Sequence, residues 1–336
     1  MGLKPRQQFS PMLTEWALLA GASWPYEQGA EILNKLTGGF ICAKQVELLM
    51  AQHGKTILDE EAESLDTFYE GQGWQREWEE GVRDLAPESV YIELDGTMIN
   101  SRDNVGGMEG KGAVIYNDKE TVGKNRRALV NREYVGTYAG AKSLGQLMYR
   151  AAFRHGAERA QRIVMRGDGA PWVKELWQFH FPQAIFVLDW RHLRRKLWGT
   201  FAKLPEKLGD TPAERFRVSL KDALWHGRVD RALWALPILR RRLSSKEELE
   251  VLDQLMDYIS DNREGINYQS LSQEGIDVGT GPVEKAIDLT ICRRQKLRGM
   301  SWYRRRAEQV LAIRMKVLND TWDDYWQTHS KLQLAV

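Results

Sequence analysis

Apolar residues recur at helical spacing through Met12–Ala20, Tyr26–Leu36 and Ala43–Gly54. Ser10-Pro11 marks a helix start ahead of the first segment. Gly38-Gly39 separates the other two, so the region 1–58 is expected to be a small helical module with the spacing of a helix-turn-helix. Residues 59–89 are acidic and Trp-bearing and end in Ala86-Pro87-Glu88-Ser89, which reads as a helix followed by a linker. The period changes at Val90. Val90-Tyr-Ile-Glu-Leu-Asp95 alternates as a strand does, and Gly112–Tyr116 and Leu129–Tyr138 are the next candidate strands. A helix is expected over 142–156, a strand over Arg162–Arg166, a short helix over Pro171–Phe179 and a buried strand over Ala184–Leu188. From Trp190 to about Asp261 the pattern reads as helix throughout, and Thr280–Arg314 supplies more. Strands first, then strand–helix–strand, then a long helical tract predict an α/β fold: a mixed sheet interrupted by an all-helical insertion.

Composition narrows the class. The 336 residues are 43% hydrophobic and 28% charged, ordinary globular values that exclude a disordered or fibrous chain. No apolar run is long enough to span a membrane, and the start Met1–Phe9 has no apolar core of the kind a secretory leader carries. Arg6 stands where a myristoylation signal has Ser or Thr. The two cysteines, Cys42 and Cys292, build neither a disulfide framework nor a Cys-rich zinc site. A soluble, cytoplasmic protein without a membrane partner is the expectation. The net charge of +2 conceals an asymmetry: residues 1–90 carry −8 and the remainder +10. The later part is therefore suited to a polyanion, with solvated helix faces as the alternative. The helix-turn-helix spacing fits this poorly. Lys44 is the one Lys or Arg of Ala43–His53, whereas a groove-reading helix brings cations to phosphates, so a packing module is the competing reading there.

Three aspartates stand at expected strand ends: Asp95, Asp168 and Asp189. In α/β sheets ligand sites lie beyond the carboxyl ends of strands. Carboxylates gathered there repel unless a proton or a cation intervenes, and all-oxygen donors favour Mg²⁺ or Mn²⁺. Two such ions, about 3.5–4 Å apart, serve phosphoryl transfer. Each residue also has a plain structural alternative. Asp95 suits a turn before Gly96-Thr97, Asp168 a cap for the helix at Pro171, and Asp189 the N-cap of the helix after Leu188. Glu284, in Gly279-Thr-Gly-Pro-Val-Glu-Lys285, is placed either to help close a helix N-terminus or to ligate a metal from a rigid turn. His192 shares a helical face with Asp189.

At these residues the chain resembles a known family. Leu94-Asp95-Gly96-Thr97, Gly167-Asp168-Gly169-Ala170-x-Trp172, Leu188-Asp189-x-x-His192-Leu193 and Gly279-x-Gly281-x-Val283-Glu284 are similar to motifs of bacterial insertion-sequence DDE transposases. The nearest group is the Ktedonobacter type (ISKra type), allied to Mutator-like transposases. Gly299-Met300-x-Trp302, Ala307-Glu-x-x-Leu-x-x-Arg314 and Phe9-Ser10-Pro11 extend the resemblance over about 9–315. It implies an RNase H-like core over 90–193 and 280–336, with the insertion at 194–279. It further implies a catalytic, Mg²⁺- or Mn²⁺-binding triad of Asp95, Asp168 and Glu284, with Asp189 and His192 supporting it. Many relatives carry a longer N-terminal region for recognising element ends, and none precedes Phe9 here.

The implied activity is metal-dependent strand cleavage at transposon ends followed by attack of the freed 3′-hydroxyl on target DNA, by a homodimer or larger assembly. A DNA-binding protein that has lost catalysis and a nuclease that cuts without joining are the alternatives. The cations expected at DNA phosphates are Arg191, Arg194, Arg195, Arg293, Arg294, Lys296, Arg298, Arg304, Arg305 and Arg306. Core packing is the main reading for Trp190, Trp198, Trp225 and Trp234. Trp302, between a Gly-Met turn and three arginines, is the one expected to stack on an unpaired base.

Overall fold

The computed structural model describes residues 9–330 except 125, 209, 210 and 280. The start read as lacking a leader, Thr280 in the approach to Glu284, and the tail 331–336 lie outside the described residues. The chain forms two compact units: Met1–Val90, Asp95–Gln161 and Pro282–Val336 make the first, and Tyr91–Leu94 with Arg162–Gly281 the second.

A five-stranded mixed sheet runs through the fold in the order β3-β2-β1-β4-β5. Its strands are β1 (Ser89–Ile99), β2 (Met108–Gly123), β3 (Arg126–Thr137), β4 (Arg162–Gly167) and β5 (Ile185–Leu188). β2 and β3 pair antiparallel, with a register shift between Thr121 and Gly123; β4 and β5 pair parallel. The alternation in Val90–Asp95 does produce a strand, but β1 continues to Ile99. Asp95 is thus within a strand rather than at its end. Thr97, Met98 and Ile99 are good β-formers, and backbone pairing tolerates the intervening glycine.

In the first unit, α1 (Pro11–Ser23) starts at Ser10, whose Oγ accepts from the Leu13 amide at 3.2 Å. α2 (Tyr26–Thr37) ends at Gly38 in the left-handed region, φ 64°. α3 (Ala43–Tyr69) begins where the Cys42 amide donates to Gln45 Oε1 at 2.9 Å. The sequence reading stops this helix near Gly54, yet it runs on through residues expected to be a separate acidic helix. Gly54 is not a breaker here but a close-packing residue: a Cβ would collide with the Gln309 backbone. α4 (Gln72–Glu77) leads into a π-helical turn, Trp78–Val82. α5 (Ala141–Arg154) follows β3. Thr14, Ala17 and Leu18 of α1 are buried, as are Val46, Leu49 and Met50 of α3, each large side chain contributing about 1.5–3 kcal/mol. α12 (Gly281–Ile287), a π-helical turn Asp288–Cys292, α13 (Arg293–Gln295), α14 (Arg304–Leu318) and α15 (Trp322–His329) close this unit.

In the second unit, α6 (Pro171–His180) joins β4 to β5, and α7 (Trp190–Phe201) follows directly. The insertion is not purely helical. A two-strand ladder of β6 (Lys207–Leu208) and β7 (Thr211–Pro212) interrupts it before α8 (Ala213–Trp225), α9 (Val229–Arg240), α10 (Lys246–Asp261) and α11 (Tyr268–Gln273). Leu193, Leu197, Leu224, Leu236, Leu252 and Leu255 form its core. Among the described residues no helix is long and apolar enough to cross a membrane.

Candidate functional site

β4 and β5 set the geometry in the second unit. They are parallel with Arg166 opposite Val187 and Gly167 opposite Leu188, so Asp168 and Asp189 leave the sheet at the same edge and on the same face. The Asp189 amide donates to the Gly167 carbonyl at 2.8 Å. Asp189 is fully buried and caps α7: its Oδ1 accepts from the His192 amide at 2.7 Å and lies 3.4 Å from His192 Nδ1. The capping role and the shared face with His192 are thus both realised. Asp168 is half-buried, and its Oδ1 accepts from the Ala170 amide at 3.0 Å. Gly169 follows at φ 80°, where a Cβ would meet Leu188 at 2.7 Å and Asn262 at 2.8 Å, so a larger residue would push the turn off the sheet.

Several partners of these acids are not legible from motifs. Tyr258 of α10 donates its hydroxyl to the Asp168 carbonyl at 2.7 Å. Burial raises the Tyr258 pKa above the usual phenol value, and the charges of Asp168 and Asp189 raise it further. It is therefore a fixed donor. Lys196 lies over its ring at 4.6 Å. Two residues before Asp168, Arg166 is wholly buried and ion-paired with the equally buried Glu93 of β1. A charge inside the apolar run Val90–Leu94 is the signal that marks this pair in the sequence.

The first unit carries the other two acids. Asp95 is half-buried, and its Oδ1 accepts from the Gly96 amide at 2.8 Å. Lys296 Nζ donates to Thr97 Oγ1 at 2.8 Å, from the segment after α13. Glu284 lies in the first turn of α12, ahead of the π-helical turn. Arg314, nine-tenths buried, brackets that turn by donating to Leu289 and Thr290 carbonyls and, across the unit, to Ala22 at the end of α1. Among the described residues no group of three or more His, Cys, Asp or Glu side chains is gathered closely enough to hold a metal ion.

The basic clusters divide. Arg191, Arg194, Arg195 and Lys196 are exposed on α7, opposite buried Leu193, Leu197 and Phe201. Arg298 and Arg305 are exposed as well. Arg293 is exposed but pairs with Asp288 at 2.9 Å, Arg304 reaches the Tyr138 carbonyl, and Arg306 Nε is 3.9 Å from Glu47. Three expectations are corrected. Arg294 is not an outward cation: it is 1% exposed, donates to the Gly21 carbonyl at 2.7 Å and lies against both the Tyr26 and Trp302 rings, at 4.7 and 5.0 Å from their centres. Trp302 is not a stacking platform. It is buried, its indole donates to the Gln295 carbonyl at 3.0 Å, and its ring meets Tyr26 edge-on. An indole with one polar atom satisfied inside has its apolar faces best covered by protein. Trp234, expected to pack, is instead 72% exposed, while Trp190 and Trp225 pack together with Tyr268.

Residues 74–324 match the model of an uncharacterised protein family, UPF0236. The chain belongs to UPF0236. A family protein of Streptococcus gallolyticus, named for the vanSb 3′ region, is 22% identical over 97% of this chain and 68% of its own length. A UPF0236 protein of Caldanaerobacter subterraneus subsp. tengcongensis is 24% identical over 67% of this chain and 46% of its length. A third, from the same organism and carrying eleven gene designations in its name, is 25% identical over 56% of this chain and 38% of its length. The chain thus spans about two thirds of the first of these UPF0236 relatives and less than half of the other two.

Proposed function

We propose that this UPF0236 protein is a DDE transposase with an RNase H-like core, which cuts DNA at the ends of a mobile element and joins the freed 3′-hydroxyl to a target strand. The observation that carries the reading is the shared edge of β4 and β5. There Asp168 and Asp189 emerge side by side, and α7 starts at once with an outward face of Arg191, Arg194, Arg195 and Lys196. An acidic sheet edge followed by a basic helix suits a phosphodiester held by cations beside carboxylates. Two further observations support it. Asp95 is half-buried within β1, and Glu284 stands in the first turn of α12 after a glycine-rich approach, each a rigid place for a carboxylate. One relative of a single organism carries eleven gene designations, the trace that a self-copying element leaves in a genome.

Asp95, Asp168 and Glu284 are the triad in this reading, with His192 held by Asp189 as a DNA-positioning group. The donor chemistry suits Mg²⁺ or Mn²⁺, which would supply a polarised nucleophile and stabilise the leaving oxygen. The spacing among the described residues does not form a ready cage. Cation binding is what the experiment reads.

The experiment is single-turnover cleavage and joining on DNA bearing the element's own flanking repeats, with Mg²⁺ or with chelator, beside calorimetric titration of the cation. Asp168→Asn should abolish both steps and leave the fold intact, whereas Asp189→Asn should be milder. His192→Ala should lower cleavage severely with cation affinity unchanged. Cutting without joining would make the protein a nuclease, and full activity of Asp168→Asn would overturn the assignment.

A further inference from the structure

We propose that the hollow at the N-terminal end of α14 is a binding site for one phosphate group, held by the guanidinium groups of Arg102, Arg294 and Arg306. The hollow encloses about 500 Å³, and its wall includes these three arginines, Ser301, Tyr303 and a single carboxylate, Glu47. Three cations against one acid leave it with excess positive charge.

Two features point to an anion there. The first is Arg294. Its side chain is 1% exposed, and its Nη2 has no hydrogen-bond partner. Among the described residues no carboxylate pairs with it, and its guanidinium is met by the Tyr26 and Trp302 rings, the Gly21 carbonyl and, at 4.0 Å, Met300 Sδ. A guanidinium closed off from water without a counter-charge is costly, and a ligand anion removes that cost. The second is the start of α14, which is only partly neutralised. This 15-residue helix opens on Arg304, Arg305 and Arg306 with no acid in its own first turn; the Asp103 carboxylate accepts from the Arg304 amide at 2.6 Å, and Glu47 lies 3.9 Å from Arg306 Nε. Two acids stand against three arginines and the positive end of a helix, so positive charge is left over.

Arg102 completes the site. Its segment is fastened to the wall: the Arg102 amide donates to the Trp302 carbonyl at 2.8 Å, and its Nε donates to Ser301 Oγ at 3.0 Å. With Nε engaged, the two terminal nitrogens remain as a fork of the kind that grips two phosphate oxygens. The volume exceeds that of an isolated phosphate, leaving room for the sugars on either side of a phosphodiester. The source of the phosphate, a DNA backbone, rests on the proposed function; the phosphate site itself does not.

The test uses the full chain and inorganic phosphate. Thermal unfolding is followed in phosphate and in chloride at equal ionic strength. Phosphate should raise the midpoint by about 2–4 °C beyond chloride, the shift that roughly 1 kcal/mol of binding gives in a chain of this class. Arg102→Gln combined with Arg306→Gln should remove the difference. Arg102→Lys, which keeps the charge and loses the fork, should retain only part of it and serves if the double variant folds poorly. Equal midpoints in phosphate and chloride, or an undiminished difference in the double variant, overturn the site. In a second arm, duplex DNA should compete with phosphate, and the double variant should bind duplex with a salt slope shallower by about 0.9 for one lost phosphate contact. A phosphate response that duplex does not abolish keeps the site, assigns it to free phosphate, and counts against the DNA reading alone.

Discussion

Two stretches of this chain are almost equally rich in arginine, and the fold uses them in opposite ways. On α7, Arg191, Arg194, Arg195 and Lys196 stand in solvent while Leu193, Leu197 and Phe201 fill the core beneath. Between 293 and 314 most of the arginines turn to the protein itself: Arg294 and Arg314 are buried and donate to backbone carbonyls, Arg293, Arg304 and Arg306 lean on Asp288, Tyr138 and Glu47, and Arg298 and Arg305 stay exposed. The difference lies in the helix ends nearby. The last turn of α1 and the π-helical turn after α12 leave carbonyls without helical partners, and a guanidinium has enough donors to satisfy several at once. A cluster of cations therefore signals either a polyanion outside or orphan carbonyls inside.

The largest effect should come from removing the inward arginine with the most backbone partners. Arg314→Met leaves the carbonyls of Ala22, Leu289 and Thr290 buried and unpaired. The expected loss is about 3–5 kcal/mol, read as a lower urea midpoint at unchanged slope. Arg314→Lys keeps a charge but not the geometry and should recover only part. A loss under 1 kcal/mol for Arg314→Met would dissolve the contrast between the two clusters.

Burial sorts the histidines in the same way. His53 of α3 is fully buried, with Nδ1 2.8 Å from the Tyr325 hydroxyl and His329 nearby on α15. Burial, with the His329 charge, lowers its pKa to about 4. The folded state therefore binds fewer protons than the unfolded one between about pH 6.5 and about 4, so stability falls as pH drops through that window. The His53 contribution should amount to about 2 kcal/mol between pH 7 and pH 5. Chemical unfolding at the two values should show it, and His53→Gln should flatten it. Glu133, held down to about 2 beside Arg154 and His155 even though burial opposes this, acts lower on the scale: its contribution is lost only as pH falls below about 4.5.

Much of the strand–helix–strand portion was legible because its signals are local. The apolar run before Asp189 gave β5, and Pro171 gave the start of α6. Asp189 as the cap of α7 and His192 beside it followed from favoured cap chemistry and helical spacing. What was not legible depends on distant partners. Gly54 reads as a breaker until Gln309 is packed against it, and Trp302 reads as a surface aromatic until Tyr26 and Gln295 enclose it. Arg166 and Glu93 are 73 residues apart, and no periodicity links them. Of the acids of the proposed triad, Asp95 lies within β1, Glu284 in α12 and Asp168 in the loop directly after β4, but their joint geometry is a matter of tertiary distance that motif spacing does not encode.

A middling effect is expected at the edge where acid and base meet. Asp189→Ala removes the cap of α7, and the usual loss for such a change is about 1 kcal/mol, within a range of about 0.5–2. Thermal unfolding should show it. His192→Ala, which keeps the cap bond because that bond is made by the backbone amide, should change stability less than Asp189→Ala. The reverse order would mean that the imidazole, rather than the cap, holds the start of α7.

The smallest stability change should come from the outward arginines, and there binding should move instead. Arg194 lies 5.6 Å above the Trp198 ring and Arg195 is exposed. Exposed substitutions of this kind rarely alter stability by more than about 0.5 kcal/mol. Arg194→Gln with Arg195→Gln should accordingly unfold within that margin of the parent chain, since the buried Leu193, Leu197 and Phe201 are untouched. If the cations of α7 face DNA, each lost phosphate contact makes the slope of log affinity against log salt shallower by about 0.9, whatever the base sequence. The pair should then bind duplex DNA with a slope shallower by up to about 1.8. A double variant that unfolds early, or one whose salt dependence is unchanged, would place the α7 cations with Arg314, at work on the protein itself.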